Sequence, residues 1–258
     1  MPLTIGVVGP SGSGKTALAT ALCARFEASG LSSIVISADW FYRAPAPVEI
    51  STYSQVHGTE VMKRTISALR ADGDVPAALA ALPVADLAAL LETQLSVEAA
   101  TYNWDDPDAL DNASLCHTLV TLQAGEAVVV AEFNFVTRQR DLIRSCPPAD
   151  VVIVEGLFLF CDACGVEPSL DYKLFVDVSE STTWARKLAR DAAAERGGHS
   201  AAYLRKQFEQ AWRMNLRHIA PTKAHPGVRV VTNDAEADWE ALVTEVFREV
   251  LAMLERRH

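Results

Sequence analysis

Short, solid apolar runs alternate along this chain with stretches of helical spacing. Ile5-Gly6-Val7-Val8, Ser33 to Ser37, Val151 to Gly156, Leu174 to Val178 and Val228 to Val231 are too brief for helices but long enough for strands buried on both faces. Between the first two, Leu18, Leu22 and Phe26 recur on one helical face, and Trp239 to Leu254 reads as a closing helix. Ala201 to Ile219 sets Leu204, Phe208, Trp212, Leu216 and Ile219 at helical spacing, which reads as a core-facing stripe. Ala127 to Val136 is a solid apolar run that turns into alternation, with Glu132 and Asn134 facing away from Phe133 and Phe135, and fits a strand or hairpin arm. Strands alternating with helices imply an α/β fold with a mostly parallel sheet and helices on both faces.

One stretch breaks the pattern. After Pro45 and Pro47, Val56 to Leu69 has helical spacing, and Pro76 to Glu98 is rich in alanine and leucine with few charges, interrupted by Pro83. These read as short helices of an insertion at about 45–100 within one domain spanning residues 1–258. An Ala/Leu-rich helix is packing surface rather than chemistry, so the insertion is assigned to a lid or a subunit contact, the latter implying a homo-oligomer.

Composition narrows the partners. A net charge of −10 argues against a nucleic-acid-binding protein, whose affinity rests on basic residues against phosphates. No apolar run approaches the length of a membrane span, and the first strand begins almost at Met1, leaving no room for a signal peptide, so a cytoplasmic location is expected. Five cysteines do not suggest a disulfide framework. Cys161-Asp162-Ala163-Cys164 has redox or zinc spacing, but zinc needs two further ligands and Cys116-His117 is the only other cluster.

Chemistry concentrates at the ends of the apolar runs. Gly9-Pro10-Ser11-Gly12-Ser13-Gly14-Lys15-Thr16 satisfies G-x-x-x-x-G-K-[ST] between the first strand and the first helix, the order a phosphate-binding loop requires. Its glycines let backbone N–H groups turn inward, Lys15 is expected to reach terminal phosphates, and Thr16 a magnesium ion. Asp39 follows the second strand, where parallel sheets place ligands, although a turn cap would look the same. The segment from Tyr102 to Asp111 crowds Asp105, Asp106, Asp108 and Asp111 around Pro107 and two aromatics; such carboxylates bind metals or sugar hydroxyls, or open the next helix. Glu155 ends a strand and can hold Mg²⁺ or its waters. Arg186, Lys187, Arg190 and Arg196 form a local basic set, or a solvated helix face.

Taken together these segments resemble the uridine kinase and phosphoribulokinase group of P-loop kinases. Beyond the loop, Asp39-Trp40-Phe41-Tyr42 is similar to that family's D-x-F-Y. Asn103-Trp104-Asp105-Asp106-Pro107-Asp108-Ala109-Leu110-Asp111 is similar to its N-F-D-H-P-D-A-F-D, Glu155-Gly156 to its strand-end E-G, and Arg190-Asp191 with Glu195-Arg196-Gly197 to its R-D-x-x-E-R-G lid with one extra residue. The resemblance implies a P-loop NTPase fold with a five-stranded parallel sheet, a lid, and a small hairpin covering the acceptor. It also implies ATP-dependent phosphorylation of a hydroxyl on a nucleoside or ribosyl-like small molecule. Gly9, Ser11, Gly12, Ser13, Gly14, Lys15, Thr16 and Lys187 would then hold ATP. Thr16, Glu155 and Asp39 would hold Mg²⁺. Asp39, Lys15, Arg190 and Arg196 would act in transfer, and Asp39, Tyr42, Asp105, Phe133 and Arg138 would meet the acceptor.

The departures are specific. Phe133-Asn134-Phe135-Val136-Thr137-Arg138 stands where the uridine kinases carry Y-D-F-V-S-H, so two base-reading polar groups are gone and a permanent cation has arrived. Gly198 replaces the last lid arginine, and the insert between Tyr42 and Tyr102 is long for that family. Two other readings therefore stand beside the nucleoside kinase: a kinase of a sugar phosphate or carboxylated metabolite paired by Arg138, and a nucleotide-binding protein without an acceptor.

Overall fold

The computed structural model describes residues 1–43, 103–135, 139–193, 201–234 and 238–257; the helices expected in the insertion lie outside them. In chain order the first elements are β1 (Leu3–Val8), α1 (Lys15–Ala28), β2 (Ser33–Ser37), α2 (Asn112–Gln123), β3 (Val128–Asn134) and β4 (Gln139–Cys146). Then follow β5 (Val151–Gly156), β6 (Tyr172–Asp177), α3 (Glu180–Ala193), α4 (Ala201–Met214), β7 (Val228–Thr232) and α5 (Trp239–Glu255).

Five strands form one sheet in the order β2-β5-β1-β6-β7, and every neighbouring pair is parallel. The continuous apolar runs follow from this placement: β1 and β5 are buried at every residue because both faces are covered. Leu3, Ile5, Val7, Val151, Ile153, Leu174 and Val176 point to the face packed by Leu18, Leu22 and Phe26 of α1 and Val243, Val246 and Val250 of α5. Val152, Val154 and Phe175 point to the other face, where Leu115, Leu119 and Leu122 of α2 pack with Phe158 and Phe160. Since all five strands run the same way, the loops leaving β1, β2, β5 and β6 converge on one edge.

β3 and β4 form a separate antiparallel hairpin. β4 carries no apolar pattern of its own; its residues 141–145 are exposed, and its strand conformation comes from pairing with β3. Asp111 ties this hairpin to α2. Its carboxylate caps α2 by accepting from the Ser114 N–H at 3.2 Å and the Ser114 hydroxyl at 2.6 Å, and it accepts from Arg140 Nη1 of β4 at 2.7 Å.

The expected stripe over Ala201 to Ile219 needs a correction. Phe208 and Ile219 are buried, but Leu216 is 56% exposed. The helix changes after Met214 into a π-turn over Asn215–Ile219, and the wider turn rotates the phase so that Asn215 takes the buried position. Leu216 and Trp212 instead help wall a cavity of about 350 Å³ beside Pro10.

Burial alone would raise the Asp111 carboxyl, but the hydrogen bonds from Ser114 and Arg140 outweigh it and hold the group below the ordinary carboxylate range. A group whose pKa is lower in the folded chain stabilises it above the unfolded value, and that stability is lost as pH falls through the folded value. Asp111→Asn is therefore expected to lower stability at pH 7 by about 1–2 kcal/mol. The deficit should shrink as the pH is lowered below about 4 in chemical denaturation; a deficit unchanged with pH would show that charge is not what Asp111 contributes.

Candidate active site

Loop 9–16 joins β1 to α1 and can adopt its shape only with glycine at particular points. Gly14 has φ +91°, and a Cβ there would stand 2.5 Å from Asn233 Nδ2. A Cβ on Gly9 would meet the Val176 carbonyl oxygen at 2.5 Å and Ser13 Oγ at 2.6 Å. Gly14 is also the residue before α1, and no side chain caps that helix, so its first N–H groups remain available to an anion. Ser13 is fully buried and its Oγ has no hydrogen-bond partner among the described residues. Lys15 is only 9% exposed, with no described carboxylate within salt-bridge distance. A buried cation, an orphaned hydroxyl and an uncapped helix start around a glycine cradle fit a bound polyphosphate.

The carboxylate that faces this loop is Glu155. Parallel register sets it beside Val7 of β1 on one side and Ser37 of β2 on the other. It is 2% exposed; Thr16 Oγ1 donates to its Oε2 at 3.1 Å and Ser37 Oγ donates to its Oε1 at 2.5 Å. No described cation pairs with it. A buried carboxyl group met among the described residues by two hydroxyls keeps oxygen lone pairs to offer, which suits a hard cation such as Mg²⁺. Asp39 sits in the short 3₁₀ turn Ala38–Phe41 directly after β2, and its N–H donates to Ser37 Oγ at 3.3 Å. Thr16, Glu155, Ser37 and Asp39 thus form one connected line from the loop to the end of β2.

The crowded acidic segment separates into distinct jobs. Asp106 accepts from the Asp108 N–H and caps the turn Pro107–Ala109, Asp111 caps α2, and Asp108 is exposed. Asp105 is different: burial pushes its carboxyl above the ordinary range, while the Lys187 ammonium of α3 pulls the other way. The Lys187 ammonium is thus close enough to act on the charge of Asp105. Beside them Tyr42, Trp104, Phe133 and Phe135 form one aromatic cluster, with ring centroids from 5.1 to 6.0 Å apart. Phe133, expected to stack on an acceptor, is 2% exposed and packed inside this cluster; Phe135, at 60%, is the open ring. Sequence reasoning assigned no role to Trp104 or Phe135, although both lie in segments it had singled out.

Arg138 and Arg196 lie outside the described residues, and Arg190 falls within α3. The Cys161/Cys164 pair offers no reactive site. Burial drives the two thiols up to about 11 and about 12, so both stay protonated, and the Cys161 thiol donates to the His218 carbonyl at 3.1 Å.

A model of the phosphoribulokinase / uridine kinase family matches residues 85–233, more than half of the chain. A uridine kinase of Chloroflexus aggregans is 28% identical over 228 residues, covering 88% of this chain and 85% of that protein. Among solved structures, a D-glycerate 3-kinase of Cryptococcus neoformans var. grubii is 14% identical with a TM-score of 0.55, covering 90% of this chain and 86% of that one. A protein of Silicibacter sp. TM1040, provisionally named a fructose transport system kinase, is 16% identical with a TM-score of 0.55 and 89% coverage of both chains. At those identities the structural likeness concerns the fold.

Gly14→Ala should abolish the loop's conformation, since the added methyl meets both a left-handed backbone and the Asn233 amide. Nucleotide titration is expected to show affinity lost by about a hundredfold or more; wild-type affinity in this variant would mean that the loop is not the phosphate site.

Proposed function

The chain belongs to the phosphoribulokinase / uridine kinase family of kinases that phosphorylate hydroxyl groups, and from that premise we propose that it transfers the γ-phosphate of ATP to a hydroxyl of a nucleoside or ribosyl-like molecule. The observation that supports this reading is the hydrogen-bonded line Thr16–Glu155–Ser37, continued by the Asp39 N–H, which joins the phosphate loop to the end of β2, where Asp39 follows. Loop 9–16, with Gly9, Ser11, Gly12, Ser13 and Gly14, cradles the phosphates through its amides, and Lys15 neutralises their terminal charge. Thr16 and Glu155, with Asp39 nearby, would hold Mg²⁺, which when bound spreads the negative charge of the phosphates. Asp39 accepts the proton of the acceptor hydroxyl as its oxygen bonds to the γ-phosphorus and the bond to the bridging oxygen breaks, releasing ADP. Lys187, Arg190 and Arg196 would neutralise the transferring group, as the lid resemblance implies, and a lid that closes would exclude water.

Asp105 reads the ribosyl hydroxyls. The aromatic cluster beside it suits a planar, weakly polar group stacked on Trp104 and Phe135, with Tyr42 behind them. The rings suit a planar nucleobase, whereas Arg138, the cation that would pair an anionic acceptor, lies outside the described residues.

Asp39→Asn should reduce turnover by about 10³-fold or more while ATP affinity stays within about twofold; undiminished turnover would remove Asp39 from the mechanism. Transfer from labelled ATP to uridine, cytidine, D-glycerate and ribulose 5-phosphate identifies the acceptor class, and turnover of the anionic compounds alone would end the nucleoside reading.

Hydroxyl recognition by Asp105 needs the charged carboxylate, and burial has raised its pKa. The acceptor KM is accordingly expected to fall as pH rises through a value above the usual carboxylate pKa of about 4. Asp105→Asn should flatten that profile; a profile identical to wild type would exclude Asp105 as the titrating group.

A further inference from the structure

A loop that binds anions with its amides has a second face. Each peptide unit carries N–H and C=O on opposite edges, so turning amides inward presents carbonyls outward, and buried carbonyls need donors. In loop 9–16 those donors come from distant parts of the chain. Arg186 Nη1 donates to the Gly12 carbonyl at 3.1 Å and to the Ser13 carbonyl at 3.4 Å, while Nη2 donates to the Asn233 carbonyl at 2.8 Å. Asn233, 6% exposed at the end of β7, donates from Nδ2 to the same Ser13 carbonyl at 2.7 Å. The Ser13 carbonyl is therefore held twice, and the N–H on the far edge of that peptide unit belongs to Gly14.

We propose that Arg186, with Asn233, is a positioning residue for the donor nucleotide: gripping the Gly12 and Ser13 carbonyls from behind aims the Gly14 amide and the start of α1 at the phosphates. The inference rests on the reading of loop 9–16 as the nucleotide site. Three features support it. The planar guanidinium carries five donors and reaches three carbonyls at once, which a lysine ammonium on a flexible stem does not reproduce. Among the described residues its hydrogen bonds go to carbonyls, and the carboxylate that feels its charge, Asp234, is itself held by the Ser179 N–H and hydroxyl, leaving the guanidinium donors to the loop. It also sits on α3 next to Lys187, whose charge is felt by the Asp105 carboxyl.

The test compares wild type, Arg186→Ala, Arg186→Lys and Asn233→Ala by ATP titration, by KM for ATP and for the acceptor, and by thermal melting. Arg186→Ala is expected to weaken ATP binding by about tenfold to a hundredfold, with the acceptor KM within about twofold of wild type. Millimolar guanidinium should restore part of that affinity, and should not do so for Lys15→Ala. Arg186→Lys should recover less than half of the loss on a logarithmic scale, and Asn233→Ala should show a smaller loss of the same kind. If Arg186→Ala does not fold, Arg186→Lys decides: its ATP affinity is expected to fall at least about fivefold at unchanged acceptor KM. ATP affinity in the folded variants within twofold of wild type would overturn the proposal, as would ATP and acceptor KM rising together without guanidinium rescue. Wild-type protein that binds no ATP would instead overturn the nucleotide reading itself.

Discussion

The arrangement turns on one buried carboxylate. Glu155 is taken out of water at the end of β5, and among the described residues it is met by the hydroxyls of Thr16 and Ser37 and by no cation. Burying such a group without donors would cost several kcal/mol or force it to take up a proton. The two hydroxyls are available because β1, β5 and β2 are parallel and in register, which brings the first turn of α1 and the last residue of β2 to the same carboxylate. The fold and the candidate chemistry share this constraint: the strand order that lets Thr16 and Ser37 meet Glu155 also brings the turn after β2, which holds Asp39, to the same edge of the sheet as the glycine loop.

Around that point the two sides of the site are built differently. The donor side is backbone: an uncapped helix start, glycines with no room for a Cβ, and carbonyls held from behind by Arg186 and Asn233. Such a surface recognises charge and geometry. The proposed acceptor side is side chain: an aromatic cluster and a carboxyl raised by burial. Exchanging residues there changes what is read without disturbing the loop, which is how a family keeps one donor and varies its acceptor.

Most of the donor side was legible in the sequence because it is local. The glycine loop lies within eight consecutive residues, the buried strands announce themselves as short apolar runs, and Glu155 and Asp39 follow two of those runs directly. What escaped was set by distant contacts. β4 has the charges and exposure of a loop and is a strand only through β3. The exposure of Leu216 follows from a π-turn that leaves the apolar spacing intact while rotating the face it presents. Arg186 looked like one of several surface cations because its partners, at residues 12, 13 and 233, come from opposite ends of the chain. The four aspartates of the 105–111 segment could be sorted only once their backbone partners were known.

The most direct measurement is a crystal structure with Mg²⁺ and a non-hydrolysable ATP analogue. The account predicts triphosphate oxygens on the amides of loop 9–16, Lys15 at the terminal phosphate, and the cation between Thr16 Oγ1 and the Glu155 carboxylate on the side facing Asp39. A nucleotide bound elsewhere, or a cation remote from Glu155 with its hydroxyl pair undisturbed, would contradict it.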